Sequence, residues 1–411
     1  MLHPGERNMH ETSISPEPGF RWVVVTAAAL LLGIAMGMLV NGLSAFVVPL
    51  ETHFGWDRAD VAAINSFGLL GIALGGIAMG FLADRVATRT ICLAGAVVLS
   101  LCLILASRAQ ALWQFHALFF LAGAIGGGAL FAPVIALVGG WFRTGAGLAI
   151  GIASAGQALG QGLIPFVAGH LIETMGWQAA FTILGAFSAL TLVPLSFVMR
   201  QPPPAPAPTT VATGGRATIS PAILLPALSL AVLGCCTGMS TPLIHLVPLI
   251  QGVCGVGAEA GGPLLIMLIA AIGGRLFFGR LSDIIGPVRA WFAATAWQTV
   301  LMLGFVTLGS LQAFWIFAPI YGFGYGGVMT GVLTTVRALT PASRRASATG
   351  IVLAFGWAGH ALGGWQGGVF FDLTETYVVS FAVATAAGAM NLAIVAAIWI
   401  ALRRRTVAAA A

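Results

Sequence analysis

The sequence predicts an all-α membrane protein of twelve transmembrane helices in two six-helix lobes, and three observations predict it. Of its 411 residues 59% are hydrophobic and only 7% charged, against roughly 25% charged in an ordinary soluble domain. The apolar residues gather in twelve runs, each long enough to cross a core of about 30 Å at about 1.5 Å of rise per helical residue. A proline-rich stretch divides these runs six and six. Within hydrocarbon every peptide group needs an internal partner, so runs of this length are read as helices.

Taken in order, the first six runs lie near 22–50, 59–83, 90–107, 111–139, 144–168 and 177–199. The second six lie near 221–251, 258–282, 288–308, 311–337, 346–370 and 377–402. Residues 1–21 carry Glu6, Glu11 and Glu17 ahead of a first run too long for a signal-peptide core, so an uncleaved anchor is expected. Residues 22–199 are expected to form one lobe, 200–220 a linker, 221–402 a second lobe and 403–411 a tail. The linker opens Gln201-Pro-Pro-Pro-Ala-Pro, a composition that favours extended, hydrated chain.

Charge sets the orientation. Lysine is absent, and with both termini on one side that side holds fifteen of the 18 arginines, including Arg85, Arg89, Arg200, Arg289 and Arg403. The other side keeps Arg58 and Arg108, and Arg275 lies inside a span. The bias places both termini in the cytoplasm of a bacterial-type inner membrane and turns the net charge of +6 away from nucleic acid. The bilayer is the expected surroundings and a monomer the expected working unit.

Several chemistries are set aside by pattern. The cysteines Cys92, Cys102, Cys235, Cys236 and Cys254 sit in or at the ends of spans, as small packing residues do, with no metal-ligand spacing. Many of the 55 glycines fall four apart, among them Gly33 and Gly37, Gly147 and Gly151, and Gly156 and Gly160, the spacing that lets membrane helices approach closely. None follows a strand, so no nucleotide-binding loop or other cofactor is expected. No nucleophile, base and orienting group stand in recognisable spacing, so no catalytic residue is assigned and an enzyme is not expected. Without ATP, a solute gradient is the remaining energy source.

The two halves repeat each other. Gly80-Phe-Leu-Ala-Asp84-Arg85-Val-Ala-Thr-Arg89 after the second run is answered by Gly279-Arg-Leu-Ser-Asp283 after the eighth. Ala155-Gly-Gln157-Ala-Leu-Gly160 is answered by Ala358-Gly-His360-Ala-Leu-Gly363. Parallel copies of this kind are the mark of a two-lobed transporter.

On these loops, the twelve runs and the linker, the chain resembles the major facilitator superfamily over essentially its whole length. Phe54-Gly-Trp-Asp-Arg58, His245-Leu-Val-Pro-Leu249, Gly274-Arg275-Leu-Phe-Phe-Gly279 and Gly322-Phe-Gly-Tyr325-Gly-Gly further resemble the monocarboxylate transporters and the bacterial oxalate/formate antiporters. The resemblance implies conformational control at Asp84, Arg85, Arg89 and Asp283. Here Ala87 and Thr88 stand where the family has a glycine and a basic residue, which implies a weaker latch in the first lobe. Physically, such carboxylates can accept bonds from the first amides of a neighbouring helix and pair with an arginine.

Arg275 is the leading candidate for solute contact. It stands eight residues before Asp283, so about 12 Å along the helix toward the membrane centre, where a fixed cation needs a wet cavity or an anion. Its planar fork matches a carboxylate, and the resemblance implies that role; the alternative is an arginine that snorkels or is bound to helix carbonyls. His360 stands where the oxalate relatives have a lysine, so the resemblance implies a singly charged acid rather than a dicarboxylate. His360 can also exchange a proton. His245, between Pro242 and Pro248, reads equally as a solute contact or as a donor to carbonyls freed by a broken helix. Tyr321 and Tyr325 share one helix face, Tyr325 being the better placed in the motif. The first lobe offers neutral groups, chiefly Asn41 and Gln157.

Together these point to a secondary carrier of a small monocarboxylate, lactate- or pyruvate-like or a related organic acid, working by alternating access, with protons as a candidate coupling partner. The alternatives are an exporter of drugs or other metabolites, an anion exchanger of the same fold, and a membrane sensor that moves nothing.

Overall fold

Residues 19–203, 220–256 and 258–408 are described by a computed structural model. Most of the expected 1–21 segment, residues 204–219 of the expected linker and the last three residues of the tail lie outside them, with Arg7 and Arg216. Twelve long helices follow one another: α1 (Phe20–Phe54), α2 (Arg58–Ala83), α3 (Thr88–Ala106), α4 (Leu112–Gly140), α5 (Ala146–Met175) and α6 (Trp177–Val198). After the linker come α7 (Pro221–Cys254), α8 (Gly261–Ile285), α9 (Pro287–Thr307), α10 (Leu311–Leu339), α11 (Arg345–Thr374) and α12 (Val378–Ala408). Among the described residues eleven are long and apolar enough to cross a membrane. The twelfth, α11, is as long, but its glycines and polar side chains dilute its apolarity.

Two helices depart from the regular pattern. In α1 a π-type turn at Gly37–Asn41 and a tighter one at Gly42–Phe46 separate its two α-helical stretches. Glycine explains the approach of α1 to α5: a Cβ on Gly33 would sit 2.8 Å from the carbonyl oxygen of Gly156, and one on Gly37 would strike that of Gly160. In α4 a π-type segment, Ala122–Gly127, precedes a break at Phe131, and the stretch that begins at Ala132 carries Pro133 in its first turn, where the missing amide leaves no helical bond unmade.

Each lobe has its own apolar core. In the first, Phe46 and Phe181 stack with centroids 3.9 Å apart beside Phe115, all essentially inaccessible. In the second, Trp291, Phe305, Phe314 and Phe381 play that part. Lipid is as apolar as leucine, so dispersion and close fit rather than water exclusion hold such cores together.

The lobes meet along two seams, α2 against α11 and α5 against α8. Both lie toward the face of the bundle that carries the chain ends, called the terminus face below. Positions near each seam are thin: Gly80 lies against Ala346, Gly76 against Gly350, and Gly147 against Gly279.

Candidate functional site

Between the lobes is a cavity of about 400 Å³, to which α1, α4, α5, α7, α8, α10 and α11 contribute. Its lining begins on α5 at Gln157, above the α5/α8 seam, and climbs to Leu163 and Phe166, which are 51% and 76% exposed. The cavity is therefore closed at the terminus face and open toward the far face. Arg275, Tyr325, His360, Asn41 and Gln157 all line it.

Arg275 forms the floor. Its side chain is 6% exposed, and it donates from Nη1 to the carbonyl oxygen of Ser154 at 3.0 Å, crossing from α8 to α5. Its Nε has no partner among the described residues. One helix carbonyl thus occupies one donor of a group that has five, and among the described residues no Asp or Glu lines the cavity to neutralise it. Tyr325, 6% exposed, is close enough to interact electrostatically with the guanidinium. Among the described residues the side chains of Asn41, Gln157, Gln161, Tyr325 and His360 make no hydrogen bond to protein, leaving five polar groups free at the wall. His360 packs edge-on to Trp357 at 6.3 Å, and Trp357 in turn to Phe131 of the other lobe at 6.4 Å.

His245 does not line the cavity. It is buried within the second lobe, where Nε2–H donates to the Gly364 carbonyl at 2.9 Å and the ring fills the space beside Gly367. Although α7 contains Pro226, Pro242 and Pro248, it runs unbroken, and the carbonyl that His245 meets belongs to α11 rather than to its own helix. Tyr321 is likewise inside the lobe, its hydroxyl 3.7 Å from the Met302 sulfur.

At the terminus face the two loop carboxylates cross between lobes. Asp84, ending α2, accepts from the backbone amides of Ala346 and Ser347 at 3.1 Å each, in the first turn of α11. Asp283, near the end of α8, accepts from those of Gly147 and Leu148 at 2.8 and 3.0 Å, in the first turn of α5. Each carboxylate so caps a helix N-terminus, where free amides and the helix dipole both favour an anion. Neither Arg85 nor Arg89 pairs with Asp84 in this conformation; Arg85 is exposed, and Arg89 lies over the Phe197 ring at 4.5 Å.

Two contacts had no usable sequence signal. The Ser154 carbonyl is backbone, which every residue possesses. Arg337, the last residue of the tenth run, reaches across from the last turn of α10 to the carbonyls of Gly139, at 2.6 Å, and Phe142, a third crossing at the terminus face.

Residues 29–364 match the Major Facilitator Superfamily. The chain is 27% identical over 385 residues to the uncharacterized MFS-type transporter YcxA of Bacillus subtilis, covering 89% of this chain and 92% of that one. It is 27% identical over 397 residues to human monocarboxylate transporter 11, covering 90% and 82%. In fold it is similar to the E. coli fucose:proton symporter FucP, with a TM-score of 0.71, 14% identity and 94% and 99% of the two chains covered. The human organic anion transporter MFSD10 gives 0.71, 15%, 92% and 100%.

Proposed function

Because this chain belongs to the Major Facilitator Superfamily, we propose that it carries a small monocarboxylate across a bacterial-type inner membrane by alternating access, with both termini cytoplasmic. The observation that carries this reading is Arg275, among the described residues the one fixed cation lining a cavity that no carboxylate lines. A solute carboxylate can supply two anionic acceptors to the fork. A carboxylate adds its own charge and a second, parallel bond to what a neutral carbonyl offers the same cation, so a bound acid can outcompete Ser154 for the guanidinium. That relatives bear the name monocarboxylate transporter supports the class of solute.

Among the described residues His360 is the only lining side chain able to become a cation by taking up a proton, and we assign it the proton of a coupled cycle. Asn41, Gln157 and Tyr325 are assigned to the neutral part of the solute, and Asp84 and Asp283 to closure at the terminus face. Arg85 and Arg89 are assigned to setting the orientation of the α2–α3 loop and to pairing in the opposite conformation.

A thermal-shift screen of short acids, with pyruvate and lactate among them, tests this on wild type and Arg275→Gln. A ligand at tenfold its dissociation constant stabilises by about 1.4 kcal/mol. The expected result is a shift in wild type that vanishes in the variant, together with uptake of the same acid into proteoliposomes. Equal shifts in both proteins, or binding without flux, would remove the reading.

A further inference from the structure

We propose that the acid is one whose body is an aromatic ring, with its carboxylate on Arg275 and the ring seated against Trp357; this rests on the reading of Arg275 above. The first ground is room. A cavity of about 400 Å³ holds about a dozen waters at ~30 Å³ each, so a three-carbon acid leaves most of it to solvent.

The second ground is the character of the wall. Trp357 lines the cavity, half-buried, and among the described residues its indole makes no hydrogen bond. It is met by two rings steeply inclined to it, Phe131 at 61° from the first lobe and His360 at 66° from its own helix. Such tilted and edge-on geometries are those that aromatic groups prefer, and another ring can extend the set. Phe131 and Trp357 belong to different lobes, so a ring seated there touches both halves of the transporter.

The third ground is sulfur. Cys236, Met239 and Met329 all line the cavity, and the Cys236 thiol lies 3.8 Å from the Met329 sulfur. The Cβ position of Gly356, next to Trp357 in sequence, is 3.4 Å from the Cys236 sulfur, so the sulfur patch adjoins the helix that carries the indole. Thioether sulfur near a ring is favourable and adapts its shape to the ring. The anion end is separately provided for: Gln157 lies one turn along α5 from Ser154, which Arg275 touches, and Tyr325 neighbours the guanidinium. An aliphatic body gains from this wall only the burial of its surface, whereas a ring gains the aromatic and sulfur contacts as well.

Binding of phenylacetate, cyclohexylacetate and pyruvate to the full-length protein in detergent, read by thermal shift and by competition for uptake into proteoliposomes, decides the matter. Phenylacetate is expected to bind roughly 2- to 10-fold more tightly than cyclohexylacetate, the factor that aromatic pairing adds beyond burial, and more tightly still than pyruvate. Trp357→Leu should erase the difference between the two ring acids. Pyruvate binding as well as phenylacetate overturns the proposal while leaving the monocarboxylate reading intact, and so does parity of the two ring acids in wild type. Those wild-type comparisons stand even where Trp357→Leu fails to fold. Failure of every acid to bind removes both.

Discussion

At the scale of the residue, the site turns on the difference between a charge and a fork. Arg275 now spends one N–H on Ser154 and keeps Nε unpartnered, so a carboxylate meets a planar group with donors to spare. Lysine keeps the charge but offers a point donor on a flexible stem. Arg275→Lys should therefore retain binding at about tenfold weaker affinity in a thermal-shift titration, where Arg275→Gln retains none. Equal affinities for Arg and Lys would mean that charge alone matters. His360 permits the converse experiment. If a lysine there is what suits the oxalate relatives to a dicarboxylate, His360→Lys should give a stabilising shift with oxalate that wild type lacks, and the absence of any such shift counts against the assignment of His360 to the solute. Arg275 stood out in the sequence because a charge interrupts an apolar run, and His360 because a repeat aligned it with Gln157. His245 drew attention on the same ground of polarity yet serves packing between α7 and α11, since polarity in a span shows that a partner exists without showing whether it is solute or carbonyl.

At the scale of the element, the α5/α8 seam is one of the two that close the terminus face. The four-residue spacing of Gly147 and Gly151 identified a thin helix face, but spacing does not say which helix lies on it. The structure supplies α8, with Gly147 on the Gly279 carbonyl and Gly151 beneath that of Arg275. Any side chain at Gly147 strikes the Gly279 carbonyl first, with the Asp283 carboxylate 3.0 Å away behind it, and since backbone cannot swing aside, relief requires the helices to part. Gly147→Leu should thus lengthen the distance between spin labels at Thr144 and Ile284, two exposed sites beside the seam, when measured by pulsed electron resonance in nanodiscs. An unchanged distance would show that the seam tolerates bulk. The twelve runs themselves were readable because a bilayer demands long apolar helices. The breaks in α1 and α4 were not, because glycine spacing permits a π-type turn without requiring one.

At the scale of the molecule, the repeat in sequence becomes a repeat in mechanics. Asp84 and Asp283 stand 199 residues apart, and each caps the first turn of a helix in the other lobe, so the terminus face is fastened twice by one device. Arg337 breaks the symmetry: it grips the end of α4 from α10, whereas the residue 199 positions earlier is Val138. If the arginine bias governs insertion, this fastened face is cytoplasmic, and a C-terminal fluorescent-protein fusion should glow while an alkaline phosphatase fusion at the same place stays inactive; the reverse pattern would invert the orientation. Closure itself can then be divided. Losing a bond to a charged partner costs about 1–3 kcal/mol, which shifts a two-state equilibrium roughly 5- to 150-fold. Asp84→Asn and Asp283→Asn should each raise the fraction open at the terminus face, read from the distances of label pairs across either seam. Asp84 and Asp283 act on separate seams but on one rigid motion, so the double variant should open both seams together. Opening of one seam alone would mean that the lobes flex independently, and that alternating access here is not a rigid-body rocking.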